Sequence, residues 1–106
     1  MLAKAHRIRR GEDFRRVIRS GKRVSTPYAV VHIAAGSSDV SRFGFIVSKR
    51  VGGAVVRNRL KRQLSELVRR HLPEAEPRDV VFRVLPAAKD ADFATLDAGI
   101  MPKVMP

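Results

Sequence analysis

The chain has 106 residues, 44% of them hydrophobic, with no cysteine and with 22 Lys plus Arg against 10 Asp plus Glu, a net charge of +12. That length supports one core and not two, and the missing cysteines exclude disulfide staples and thiolate metal sites. No run approaches the roughly 20 apolar residues that a membrane-spanning helix needs, and the basic start "MLAKAHRIRR" lacks the apolar segment of a secretory signal, so a soluble, cytoplasmic protein is expected.

Residues 1–10 read as a basic arm without periodicity. "GEDFRRVIRSG" reads as a short helix: Glu12 and Asp13 sit in its first turn, where the helix dipole favours anions, and Gly21 stops it. Phe14, Val17 and Ile18 share one face by i, i+3, i+4 spacing. "KRVSTPYAVVHIAAG" is β-rich, with Pro27 near the start of its main run, where a strand tolerates it, and a short extra strand near Val24. After the turn "GSSDVSR" comes the strand "FGFIVSK", with Phe43, Phe45 and Val47 on one face. The glycine turn "VGGAV" leads into the main helix, residues 54–72, which Pro73 and Pro77 close. "DVVFRVLP" is a further strand ended by Pro86. "KDADFATLDAGIM" is a short helix capped by Asp90 or Asp92, interrupted by Gly99 and Pro102, and residues 101–106 are expected to be a flexible tail. Helices and strands in this order indicate a small α+β domain spanning 1–106, a sheet with helices packed on it.

Charge is concentrated at one end. Residues 1–70 carry +14 from 18 basic and 4 acidic side chains, and residues 71–106 carry −2 from 4 and 6. Such a charge repels itself in a compact monomer. A polyanion relieves it, and nucleic acid adds the gain from released counterions. A membrane surface is the weaker partner, because the basic helix has no Trp or Phe to insert. On that helix, at 100° per residue from Leu60, Val56, Leu64, Leu67 and Val68 fall within roughly 80° and form the core face. Asn58, Arg62 and Arg69 lie opposite, with Arg59 and Lys61 flanking them and Arg57 nearer the apolar edge. A charge run is often only a solvated face, but Arg57, Arg59 and Lys61 have no acid at i, i+4 to balance them. Arg suits phosphate because its planar fork binds two oxygens at once, and Gly52 and Gly53 let backbone N–H groups approach a phosphate at the helix start.

No protein-based chemistry is visible. His6, His32 and His71 lack metal-ligand spacing. The adjacent acids Glu12 and Asp13 fit a helix start better than acid–base work across a cleft. No catalytic residue and no metal ligand is assigned.

"SKRVGGAVVRNRLKRQLSELVR" resembles the signature of the bacterial ribonuclease P protein subunit, in which an Arg-Asn-Arg motif follows a Val-Gly-x-Ala-Val turn and opens the main helix. "RIRRGEDFRRVIRSGKRV", "RFGFIVSKRVG" and "RDVVFRVLP" resemble the same family's basic arm and first helix, third strand and fourth strand, so the likeness covers about residues 6 to 86. It implies an α-β-β-β-α-β-α order, a four-stranded sheet and a left-handed βαβ crossover. It also implies an RNA-based enzyme that removes the 5′ leader of precursor tRNA, leaving a 5′-phosphomonoester, with the active site and its Mg²⁺ on the RNA subunit. The protein, a monomer bound 1:1, would hold the catalytic RNA and the leader. By this resemblance Lys49, Arg50, Arg57, Asn58, Arg59, Lys61 and Arg62 face the catalytic RNA, and Phe14, Ile18, Tyr28, Val30 and His32 line the leader cleft between the first helix and the sheet. Arg7, Arg9, Arg10, Arg15 and Arg19 supply a basic track beside it, as single-stranded RNA binding requires. Phe14, Ile18 and Tyr28 read equally well as core. The chain departs from the family pattern at Gly53, where Asn is usual, and at Ile18, where an aromatic is common. The alternative is a small basic structural RNA-binding protein of ribosomal type.

Overall fold

The computed structural model describes residues 2–36, 38–71 and 77–104. Its elements are α1 (Gly11–Ser20), β1 (Lys22–Ser25), β2 (Ala29–Ala35), β3 (Arg42–Ile46), α2 (Ala54–His71), β4 (Arg78–Val84) and α3 (Phe93–Val104), with 3-10 turns at Lys4–His6 and Pro86–Asp90. The α-β-β-β-α-β-α order is the one expected, short strand at Val24 included.

The sheet runs β1-β2-β4-β3. Its β1–β2 and β2–β4 ladders are antiparallel, and β3–β4 is parallel, so α2 is the crossover that parallel neighbours require. Side-chain alternation gives the sheet two faces. The register pairs Ala29 with Val84, Val31 with Phe82 and Ile33 with Val80 in β2 and β4, and Phe43 with Val80 in β3. These residues build the main core with Leu60, Leu64, Leu67 and Val68 of α2 and Leu96, Ile100, Met101 and Val104 of α3. Phe45 stacks on Phe82 with ring centroids 5.4 Å apart, an arrangement that adds to simple area burial. The opposite face carries a smaller core in which Ile8, Val17 and Val81 are buried and Phe14, Ile18 and Ala34 pack against them. That core holds α1 on the sheet.

One expectation changes and another gains detail. Residues 1–10 are a basic arm, and the arm is pinned to the sheet. Arg7 forms a parallel bridge to Phe43, and the Ile8 N–H donates to the Phe43 carbonyl at 2.9 Å. His6 Nδ1 lies 2.8 Å from the Ser41 carbonyl, and Leu2 and Ile8 are buried. β3 is a sheet edge with unpaired backbone groups, and the arm covers part of it. At the other end, residues 101–104 are not a tail. They are the last turn of α3, held by Met101 and Val104, each 1% exposed. Pro102 is accommodated because core burial outweighs one missing hydrogen bond, and Gly99 sits where the Tyr28 ring packs against the helix. Asp92 is the cap of the two acids offered, its Oδ1 accepting the Thr95 N–H at 2.8 Å. The expected stop at Pro73 lies outside the described residues, as do 105 and 106.

Candidate nucleic-acid interface

The core stripe of α2 fixes what its other side presents. With Leu60, Leu64, Leu67 and Val68 buried, Asn58, Lys61, Arg62 and Arg69 are exposed, while Arg57 and Arg59 are half-buried. The cations are not equivalent. Arg69 makes two hydrogen bonds to Glu66, at 2.9 and 2.6 Å, and Arg70 reaches the same carboxylate at 3.4 Å while lying over the Phe93 ring, 4.7 Å from its centroid. The Arg69 hydrogen bond is the main reason the Glu66 carboxyl is lowered to about 2. The C-terminal half of the helix therefore neutralises part of its own charge, two arginines sharing one carboxylate. Arg59 donates from Nη2 to the Lys89 carbonyl, which ties it to the turn after β4. Among the described residues Arg57, Lys61 and Arg62 make no ion pair, and Lys49 and Arg50 stand exposed in the preceding loop. Gly52 is tight, since a Cβ there would meet Val56 at 2.9 Å, whereas Gly53 faces open space. The Asn of the family pattern would therefore fit at position 53, and its absence costs no packing.

The other candidate set lies mainly under α1. Val30 and His32 are 6% and 4% exposed on the small-core face, and Phe14 and Ile18 are half-buried above that face. The Phe14 ring lies directly on Gly44, leaving no room for a Cβ. Arg9, Arg10, Arg15 and Arg19 are exposed nearby, Arg10 pairing loosely with Glu12 at 3.5 Å. Tyr28 is set apart. Thr26 ties the β1–β2 turn through its Oγ1, which donates to the Ala29 carbonyl at 2.7 Å and accepts the Ala29 N–H at 3.0 Å. This turn directs the Tyr28 ring onto α3, against Gly99 and beside Thr95 and Ala98. The structure thus brings Phe14, Ile18, Val30 and His32 to one sheet face and leaves Tyr28 with the main core.

His32 has both ring nitrogens buried and, among the described residues, without a hydrogen-bond partner. Burial, then Arg83 and Arg23, lower its pKa from the usual 6.5; Arg23 is its cross-strand partner. Because the folded value is the lower one, His32 favours folding while neutral, above pH 6.5, and that contribution is lost as pH falls below it. Thermal unfolding at pH 7.5 and 5.5 is expected to show a larger acid-induced drop in wild type than in His32→Leu; equal drops would count against it.

The sequence reading missed Asp79. This carboxylate, 0% exposed, accepts from Arg42 Nε at 3.1 Å and Arg42 Nη2 at 2.9 Å, and also from Arg16. Asp13 lies 3.7 Å from Arg42 and 4.0 Å from Arg16. Two of the arginines that count toward the net charge are thereby spent on joining α1, β3 and β4. The one signal available was an acid in a strand whose other polar residues, Arg78 and Arg83, are both basic. Among the described residues no cluster of three His, Cys, Asp or Glu is placed to hold a metal. The side chains on display are cationic and amide groups suited to phosphate and base edges.

Comparison with known proteins agrees. The family model described as Ribonuclease P matches residues 2–101. A relative from Streptomyces avermitilis, a ribonuclease P protein component, is 45% identical over 91% of this chain and 86% of its own length. Among solved structures, the RNase P protein of Staphylococcus aureus matches with a TM-score of 0.89 at 29% identity, covering 95% of this chain and 94% of its own. The Thermotoga maritima RNase P protein matches with a TM-score of 0.81 at 29% identity, covering 91% and 92%. With its arginine-bearing helix on a four-stranded mixed sheet and kinship running over nearly all its length, the chain belongs to the ribonuclease P protein family.

Proposed function

We propose that the chain is the protein component of ribonuclease P and assists RNA-catalysed removal of the 5′ leader from precursor tRNA. This reading rests on the row Arg57, Lys61 and Arg62, which has no acidic partner among the described residues, with Lys49 and Arg50 ahead of it, presented by a helix whose other side is fully engaged in the core. Those cations, with Asn58, meet the phosphates and edges of the catalytic RNA. Arg59 helps by fixing the neighbouring turn as well as by its charge. The shelf of Phe14, Ile18, Val30 and His32, flanked by Arg9, Arg10, Arg15 and Arg19, receives the leader strand by packing and charge. Tyr28 is too far engaged with α3 to serve as its platform in this arrangement.

The protein's role is to bind and orient. The Mg²⁺ that supports cleavage is held by RNA and substrate, and this chain contributes phosphate-binding cations beside them. The complex is one protein to one RNA, in the cytoplasm; no helix of the described residues is long and apolar enough to cross a membrane. A structural role of ribosomal type fits the charge equally but not the family match.

The test is cleavage of precursor tRNA by protein, by a bacterial ribonuclease P RNA, and by both, at low and high Mg²⁺. The mixture is expected to cleave at low Mg²⁺, where either alone is inactive. Cleavage by the RNA-free protein, or no gain on mixing, refutes the reading.

A further inference from the structure

A cavity of about 260 Å³ lies at the outer edge of β3, beneath the N-terminal arm. It is smaller than sites for drug-sized ligands, and suits one flat ring. Phe14 and Gly44 line it from the α1 side, and Phe45 and Ser65 from the α2 side; Arg7 and Lys61 complete its lining. Both cations are exposed.

The backbone adds a second feature. Among the described residues the arm bridges β3 at Phe43 alone, with the Ile8 N–H bonded to the Phe43 carbonyl. Backbone groups of alternate strand residues point to the same side. The N–H and C=O of Phe45, two residues on, therefore face outward into the stretch of edge the arm leaves open. One donor and one acceptor side by side match the Watson–Crick edge of a nucleobase, and every base offers such a pair.

We propose that this cavity takes one unpaired base of the catalytic RNA, its two faces between Phe14 on the α1 side and Phe45 on the α2 side and its edge on the Phe45 backbone, with Arg7 and Lys61 on the flanking phosphates. The inference rests on the function proposed above. A peptide side chain would fill the apolar walls but leave both cations unmatched. The catalytic RNA is favoured over the leader because Lys61 belongs to the α2 row with Arg57; of the four shelf residues Phe14 alone also lines the cavity, and Val30 and His32 lie on β2, two strands away across the sheet.

Ser65 allows a clean test, because among the described residues its hydroxyl bonds only its own helix, donating to the Lys61 carbonyl at 2.7 Å. Ser65→Leu fills the cavity and keeps the helix, and Ser65→Ala removes the hydroxyl without filling anything. With a bacterial ribonuclease P RNA transcript, Ser65→Leu is expected to bind about tenfold more weakly, the loss of one stacked base, at an unchanged melting temperature. The salt slope also stays unchanged, because no phosphate contact is removed. Ser65→Ala binds as wild type. Dimethyl sulfate and carbodiimide footprinting of Watson–Crick edges shows one unpaired base protected by wild type and not by Ser65→Leu. Wild-type affinity in Ser65→Leu, an unaltered footprint, or a loss seen only in the holoenzyme's affinity for leader-bearing precursor would each overturn the proposal. Failure of the wild-type protein to bind the RNA at all would instead remove the function on which it rests.

Discussion

Replacing Asp79 with alanine is expected to cost about 3–5 kcal/mol, the range for removing one partner of a buried ion pair, and to lower the melting midpoint on the order of 15–25 °C for a domain of this size. Asp79 is the buried carboxylate that hydrogen-bonds both Arg16 and Arg42, and its hydrogen bond is the first cause of the raised Arg42 pKa. Without it two guanidinium groups face each other, and the more distant Asp13, at 3.7 and 4.0 Å, compensates in part. Arg16→Leu should cost less, since the two-pronged Arg42 contact survives. Urea unfolding gives the comparison directly. A loss under about 1 kcal/mol for Asp79→Ala, the level of an exposed pair, would mean that the cluster is solvated and does not hold α1 to the sheet.

The second large effect is on RNA affinity. The triple variant Arg57→Ala, Lys61→Ala, Arg62→Ala removes three cations that have no acidic partner among the described residues. Each phosphate contact adds about 0.7–0.9 to the slope of log affinity against log salt. The variant is therefore expected to bind the RNA subunit with a slope shallower by about 2–3, and about 10²- to 10³-fold more weakly near 0.1 M salt. The melting temperature should hold or rise, because the lost charges repel one another. Arg69→Ala with Arg70→Ala is the contrasting case: those side chains already share Glu66, and their removal should change the slope by less than one unit. Filter binding or fluorescence titration at several salt concentrations separates the two, and equal slopes for the variants would show that the helix does not discriminate as described.

The parts legible in the sequence were those decided by local periodicity. The α2 stripe could be read from spacing alone, because Leu60, Leu64, Leu67 and Val68 repeat at helical intervals. The alternation of Phe43, Phe45 and Val47 likewise named the core face of β3. What escaped depends on partners distant in the chain. Nothing near Asp79 announces Arg16 and Arg42. Nothing in "MLAKAHRIRR" says that Leu2 and Ile8 will be buried against a strand some 35 residues away. Tyr28 resembled a cleft residue by position, but the turn made by Thr26 and the missing side chain at Gly99 send its ring to α3. Pro102 signalled a helix end, and the burial of Met101 and Val104 overruled it. Helical spacing set Arg57, Asn58 and Arg59 at different distances from the apolar stripe, but it could not say that the fold commits Arg59 to the Lys89 carbonyl.

One helix both closes the main core and displays the cations proposed to meet the RNA, so on that proposal occupancy and survival are linked. Any ligand that binds only the native form stabilises it by RT ln(1 + [L]/Kd), about 4 kcal/mol at a thousandfold excess over Kd. A protease that cuts only opened chains would therefore digest uncomplexed molecules far faster than complexed ones, and a cell making too much of this protein would be left with roughly as many copies as it has RNA to dress them.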